Sequence, residues 1–347
     1  MQWNRWMSSL SLAACVMLPI PPTLAAAQSG PYSVVDQWKI GGDGGWDYLL
    51  ADPSMNVLYV THGPRVEVLD LATGKPVGAI TELKGTHGVA LDPDGKYGYI
   101  SDGGANAVVV FDRKTYQKVN SIPAGTNPDG IVFEPVTKTV WAFNGRSSDA
   151  TVISTATMKV VATLKLTGKP EFPAADGKGV VFDNIETKGS IARFDARTLK
   201  QTAEWPLAGC DSPSGLVMDI QLHHLFSVCD GKKMAVTDSD SGKVLKLVEI
   251  GDGPDAAGLD PQRGLAFSSN GQDGTLTVVD TKTSAFPVLQ NLPTQKSGRT
   301  MAFDPKTGRI FIAVAQFGAR PAATAENQRP RPSIVPGSFT ILVVARK

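Results

Sequence analysis

From residue 32 to its end the chain alternates short apolar runs with polar turns, and the alternation repeats. The phrase "LYVTHG" at 58–63 returns as "GYISDG", "WAFNGR", "VFDNIE", "FSVCDG", "AFSSNG" and "FIAVAQ". An acid-bearing turn precedes each copy: Asp52-Pro53, Asp92-Pro93, Glu134-Pro135, Asp176-Gly177, Asp219-Ile220, Asp260-Pro261 and Asp304-Pro305. Before the turn stands a short apolar run such as "GVALD", "GLVMD" or "TMAFD". After the phrase come a polar loop, an alternating segment ("VEVLD", "VVVFD", "IARFD", "LTVVD") and a fourth apolar segment ("KPVGAI", "QKVNSI", "KVVATL"). The runs are short and β-branched with Gly, Pro, Asn and Asp between them, so they predict strands and not 3.6-period helices.

Four strands in a unit of about 40 residues describe one β-propeller blade. A two-domain β-sandwich is the competing architecture, and it leaves the regular turn spacing without a cause. The expected fold is all-β: a seven-bladed β-propeller of four-stranded blades, spanning 28–347 as one domain. "YSVVDQWKI" at 32–40 has the character of a fourth strand ahead of the first full unit, and "SFTILVV" ends the chain like a third strand. Pairing the two completes the last blade and removes an exposed sheet edge.

"LYVTH" and the repeat around it resemble the YVTN-type, YncE-like exported β-propeller proteins. The stretches "SGLVMDIQLHHLFSVCDGKKMAVTDSDSGKV", "DAAGLDPQRGLAFSSNGQDGTLTVVD" and "ATAENQRPRPSIVPGSFTILVV" are similar to one bacterial branch of that group. The resemblance covers essentially the whole chain after the leader and implies the propeller architecture. It implies no shared activity for particular residues. Members are similar to seven-bladed lactonases in shape only, and a fold does not carry a function.

The leader has its own signature. Arg5, an apolar stretch through Ile20 and Ala25-Ala26-Ala27 read as a secretory signal peptide, 1–27, cut after Ala27. Leu12-Ala13-Ala14-Cys15 also fits a lipobox that would anchor Cys15, but the apolar run continues past it. The expected location is periplasmic or secreted. No later segment approaches the roughly 20 apolar residues of a membrane span. Cleavage leaves 33 basic against 33 acidic residues, without the basic excess expected of a nucleic-acid binder. The expected partner is a small ligand or a periplasmic protein, and the chain is expected to be a monomer. Cys210 and Cys229 remain as a pair, and an oxidising compartment predicts a disulfide closing a hairpin of blade five.

In a propeller the loop before strand one and the loop after strand two share a face. Counting five residues back from each turn acid gives Asp47, His87, Asp129, Glu171, Ser214, Asp255 and Arg299. Counting ten forward, with small shifts in blades four and seven, gives His62, Asp102, Asn144, Asn184, Cys229, Asn270 and Gln316. Both columns are nearly all polar, unlike the strand bodies, and are expected to line a central funnel. The second column also suits plain strand capping, since Asn and Asp before glycine are favoured turn formers. Four carboxylates in the first column repel unless water, a cation or a basic ligand intervenes.

Metal chemistry has weaker signals. His62 and His87 with Asp47 or Asp102 make one candidate divalent site. Asp129, Glu171, Asn144 and Asn184 supply the oxygen donors that Ca²⁺ or Mg²⁺ prefers. No HExxH or CxxC spacing accompanies them. His223 and His224 fall in a turn on the opposite face. CxxCH, GxSxG and the phosphate-binding GxxxxGK[ST] are absent, and "GGDGGWD" at 41–47 leads into blade one. A long insertion at 317–337, carrying Arg320, Arg329 and Arg331, emerges on the funnel face, either as a cover docked by its arginines or as a disordered loop. Two functions follow: a non-catalytic binding scaffold, or a metal-dependent lactonase-like hydrolase or lyase with His62 or His87 as base.

Overall fold

A computed structural model describes residues 30–347 apart from 43, 94, 323, 325–327, 329 and 331; the expected leader and lipobox lie outside the described residues. Among the described residues the strands form seven four-stranded sheets. Their innermost strands are Trp46–Asp52, Thr86–Leu91, Pro128–Glu134, Pro170–Ala175, Leu216–Asp219, Pro254–Asp260 and Thr300–Phe303. Each contacts the innermost strand of the next blade, and the cycle returns from Thr300–Phe303 to Trp46–Asp52. The N-terminal strand closes the ring: Tyr32–Lys39 runs antiparallel to Thr340–Arg346, with Tyr32 opposite Arg346. This is the seven-bladed propeller that the repeat predicts.

The near-continuous apolar runs follow from burial on both faces of each sheet. In blade three, Val140 and Ala142 pack with Tyr99 and Val110 of blade two. Their neighbours Trp141 and Phe143 point the other way, onto Ala192 and Phe194 of blade four. Alternate residues of one strand thus serve two interfaces.

The recurring acid has a backbone role. Asp52, Glu134, Asp219 and Asp304 are buried, and each accepts from the N–H two residues on, at 3.1, 3.0, 3.0 and 2.9 Å. A carboxylate there satisfies a tight turn that the strands alone cannot. Asp52 also meets Arg113 of blade two at 2.5 Å, and both side chains are only 3% exposed. Glycines follow three of the first-column residues, in His87-Gly88, Asp129-Gly130 and Ser214-Gly215. A side chain at Gly130 would run into the Glu171 carbonyl, and one at Gly215 into that of Asp255. Glycine therefore lets the inner strands of neighbouring blades approach.

Cys210 and Cys229 are joined by a disulfide in blade five, 19 residues apart in sequence. A closed loop of that length restricts the unfolded chain by about 3 kcal/mol. Replacing both cysteines with alanine is expected to lower the unfolding free energy by about 3 kcal/mol in urea denaturation. A loss below about 1 kcal/mol would show that the bridge adds little.

The insertion in blade seven starts and ends as a paired hairpin. Val335 N–H donates to Gln316 O and Gly318 N–H to Ser333 O, both at 2.8 Å. Phe317 bridges Ile334. Arg320 is exposed, while Arg329 and Arg331 lie outside the described residues.

Candidate functional site

Six of the seven first-column residues converge. Asp47, His87, Asp129, Glu171, Asp255 and Arg299 line one central cavity of about 680 Å³. Ser214 is the exception: its hydroxyl turns into the wall, 3.4 Å from Pro254 O and 3.5 Å from Val228 O. Lys169, Thr86, Trp46 and Tyr48, with the glycines Gly45, Gly63 and Gly85, complete the lining.

Charges alternate along most of this ring. Arg299 binds Asp255 and lies 3.4 Å from Asp47. His87 Nδ1 is 2.7 Å from Asp47 Oδ2 and 3.5 Å from Asp129 Oδ1. On blade four, Lys169 binds Glu171 and sits 2.6 Å from Glu186. Each cation therefore holds two carboxylates. The order breaks between blades three and four, where the acids Asp129 and Glu171 follow one another, and again at blade five, where Ser214 leaves no cation between Glu171 and Asp255.

Burial turns this arrangement into proton affinity. Desolvation alone would lower the His87 value, but the hydrogen bond to Asp47 and the charges of Asp129 and Asp47 outweigh it, raising it to about 9. Burial raises Asp129 to about 6, with Asp47 adding to the rise and His87 opposing it. Burial and then the Asp129 charge raise Glu171 to about 8, against the pull of Lys169. Tyr48 packs on Phe172 at 4.5 Å, and burial followed by the charge of Glu171 pushes its hydroxyl well above the usual range.

The second column behaves differently. His62, Asp102, Asn144, Asn184 and Asn270 are buried inside the blades and do not line the funnel. His62 stacks on Phe339 of blade seven at 4.4 Å, with Nδ1 3.6 Å from Glu67. Asp102 accepts from Lys84 and Gly85 N–H at 3.0 and 2.9 Å. Asn144 and Asn270 each donate to two side chains of their own blade, and Asn184 donates to Ser214 O at 2.9 Å. These residues satisfy strand ends, as the capping alternative has it, and His62, Asn144, Asn184 and Asn270 stand outside the cavity that His87 and the funnel acids line. Cys229 is taken up by the disulfide.

The register also corrects two positions. Trp46 pairs His62, Thr86 pairs Asp102, Pro128 pairs Asn144 and Pro254 pairs Asn270. In blade four Pro170 pairs Ile185, so the equivalent residue is Ile185 and not Asn184. In blade seven the second strand ends at Val314, and exposed Gln316 lies beyond it, at the foot of the insertion's hairpin.

This register exposes a residue that the counting missed. Asp183 stands where other blades have Val60, Ile100, Ala142 and Ser268. It is fully buried, and neither carboxylate oxygen has a hydrogen-bond partner. Burial, then the charges of Glu171 and Asp129, push its carboxyl well above the usual range. The folded protein therefore keeps a proton that the unfolded chain releases, and stability is lost as pH rises above the ordinary carboxylate range. Asp183→Ser, the residue of blade six, is expected to unfold at higher urea than the parent at pH 8, with a smaller gap near pH 4. A gap independent of pH would contradict this account.

A second chamber of about 810 Å³ adjoins the funnel, sharing Gly45, Trp46, Asp255 and Arg299 with it. Phe317, Pro332, Ser333, Ile334 and Pro336 of the insertion form part of its wall. Phe317 lies 6.1 Å from the Trp46 ring. The described contacts of the insertion with this face are thus largely apolar.

No protein-family model matches the chain, and no curated protein matches its sequence. Solved structures match its shape. Hydrazine synthase of Kuenenia stuttgartiensis superposes with a TM-score of 0.70 at 16% identity, over 85% of this chain and 96% of that one. The WD40 repeats of RRP9 give 0.75 at 12% identity, over 91% and 99%. U3-55K gives 0.73 at 12% identity, over 88% and 98%. At such identities the likeness concerns the fold alone.

Proposed function

We propose that this chain is an exported YVTN-type propeller that binds a small cationic ligand in its central funnel. The observation that carries this reading is a surplus of acid. Asp47, Asp129, Glu171, Glu186, Asp255 and buried Asp183 stand against His87, Lys169 and Arg299, each of which already holds two carboxylates. An added cation relieves the repulsion between Asp129 and Glu171 and lets buried acids ionise. A concave, charge-lined cleft also concentrates ligands of the opposite sign. The leader at 1–27 and the disulfide agree with export.

The metal-dependent hydrolase fits less well. Ligand atoms of Asp47, His87 and Asp129 lie within 4.8 Å of one another. However, the two carboxylates already share His87 Nδ1, and the Arg299 guanidinium beside Asp47 opposes a metal ion there. Asn144 and Asn184, the oxygen donors a hard ion would recruit, are not among the residues that line the cavity with the acids.

A thermal-shift screen of cationic, neutral and anionic small molecules at pH 7 tests the proposal. Stabilisation is expected from cations and is expected to weaken with salt. Stabilisers drawn from the anions would overturn it.

A further inference from the structure

We infer that the ligand's charge sits at the junction of Asp129, Glu171 and Asp183 between blades three and four, and that it is the primary ammonium group of an organic molecule whose apolar body lies in the adjoining chamber. This rests on the cation-binding reading of the funnel and adds where the charge sits and which chemical class bears it.

Three observations converge on the junction. The alternation of acid and base around the funnel breaks there, with Asp129 and Glu171 in succession and each cation of the ring already committed to two acids. Asp183 lies behind them, fully buried with both oxygens unpartnered, at a register position that is apolar or small in the blades compared above. Its strand neighbours Val181 and Ile185 pack against Trp141 and Phe143, so alternation turns Asp183 toward blade three, the side of Asp129. The electrostatic coupling of Asp183 to Glu171 and Asp129 agrees with that direction. A buried carboxyl without a partner is costly, and the fold gains nothing from it that Ser268 does not supply in blade six.

The shape of the site selects the class. A primary ammonium carries three N–H donors, enough for Asp129 and Glu171, which line the cavity, and for Asp183, which lies behind that lining. A quaternary ammonium carries none and would leave Asp183 unsatisfied. A bare metal ion would leave most of the 680 Å³ cavity and the 810 Å³ chamber unused. Trp46, Phe317, Pro332, Ile334 and Pro336 give that chamber an apolar wall suited to an organic body.

Calorimetric titration of the mature protein at pH 7 tests this with 2-phenylethylamine, its N,N,N-trimethyl derivative, 2-phenylethanol and calcium chloride. The amine is expected to bind one to one, with both analogues at least about tenfold weaker. Asp183→Asn and Asp183→Ser are each expected to lower amine affinity about tenfold or more, while melting no earlier than the parent at pH 8. Several results would overturn the seat yet leave a cation-binding funnel standing: equal affinity for the trimethyl derivative, unchanged affinity in both Asp183 variants, or an equal loss from Asp255→Asn on blade six. Calcium binding that needs the same three acids, without amine binding, would replace the seat with a metal site. Failure of every cation to bind would remove both readings.

Discussion

The double substitution Asp129→Asn with Glu171→Gln is expected to weaken cation binding by roughly 30- to 1000-fold. Removing one partner of a desolvated charge pair costs about 2–4 kcal/mol, which is the same range expressed as affinity. Both acids line the funnel and both are raised in proton affinity by burial, so neither is screened as a surface carboxylate would be. The same variant is expected to be at least as stable as the parent at pH 8. Glu171 holds a proton up to about pH 8 in the folded state and only to its ordinary value when unfolded, so its contribution turns unfavourable as pH rises. Titration and urea denaturation of one preparation would separate the two effects. Unchanged affinity would place the ligand elsewhere.

Arg113→Ala is expected to be the most destabilising single change, lowering the unfolding free energy by about 3–5 kcal/mol. Arg113 joins blades one and two through Asp52 Oδ2, Ser54 Oγ at 2.9 Å and Asp92 O at 2.8 Å. Its loss leaves the Asp52 carboxylate buried without its cation. Ser54 and Met55 N–H still reach that carboxylate but cannot neutralise it. Pairing Arg113→Met with Asp52→Asn should recover part of the loss, because the stranded charge is then gone. Urea denaturation of the two variants checks this, and a loss below about 1 kcal/mol from Arg113→Ala would contradict it.

The fold was legible because one physical need recurs seven times. A carboxylate stands at the turn after each inner strand, buried in five of the seven blades, and its spacing survives every change in loop length. The first funnel column lies a fixed distance before that acid along one strand, so counting reaches Asp47, His87, Asp129, Glu171, Asp255 and Arg299. The second column lies across a turn, and turns vary. In blade four, Lys178 and Val180 N–H both donate to Asp176 Oδ1, a local geometry that shifts the count by one residue. A one-residue slip in a strand moves a side chain to the other face. The spacing therefore points to Asn184 for the funnel, while Asp183, two positions before the true counterpart Ile185, reads as strand body. Its signal was present as an acid in an apolar column, visible only when the blades are aligned by pairing. Lys169 sits two residues before Glu171, outside either offset. The fate of His62 depends on Phe339, which arrives from the far end of the chain.

The most direct test is a crystal structure of residues 28–347 with the strongest cationic stabiliser from the thermal-shift screen. The account predicts that the positively charged group lies within hydrogen-bond distance of Asp129 and Glu171. A ligand bound on the opposite face, or one that turns a neutral group toward those two acids, would contradict it.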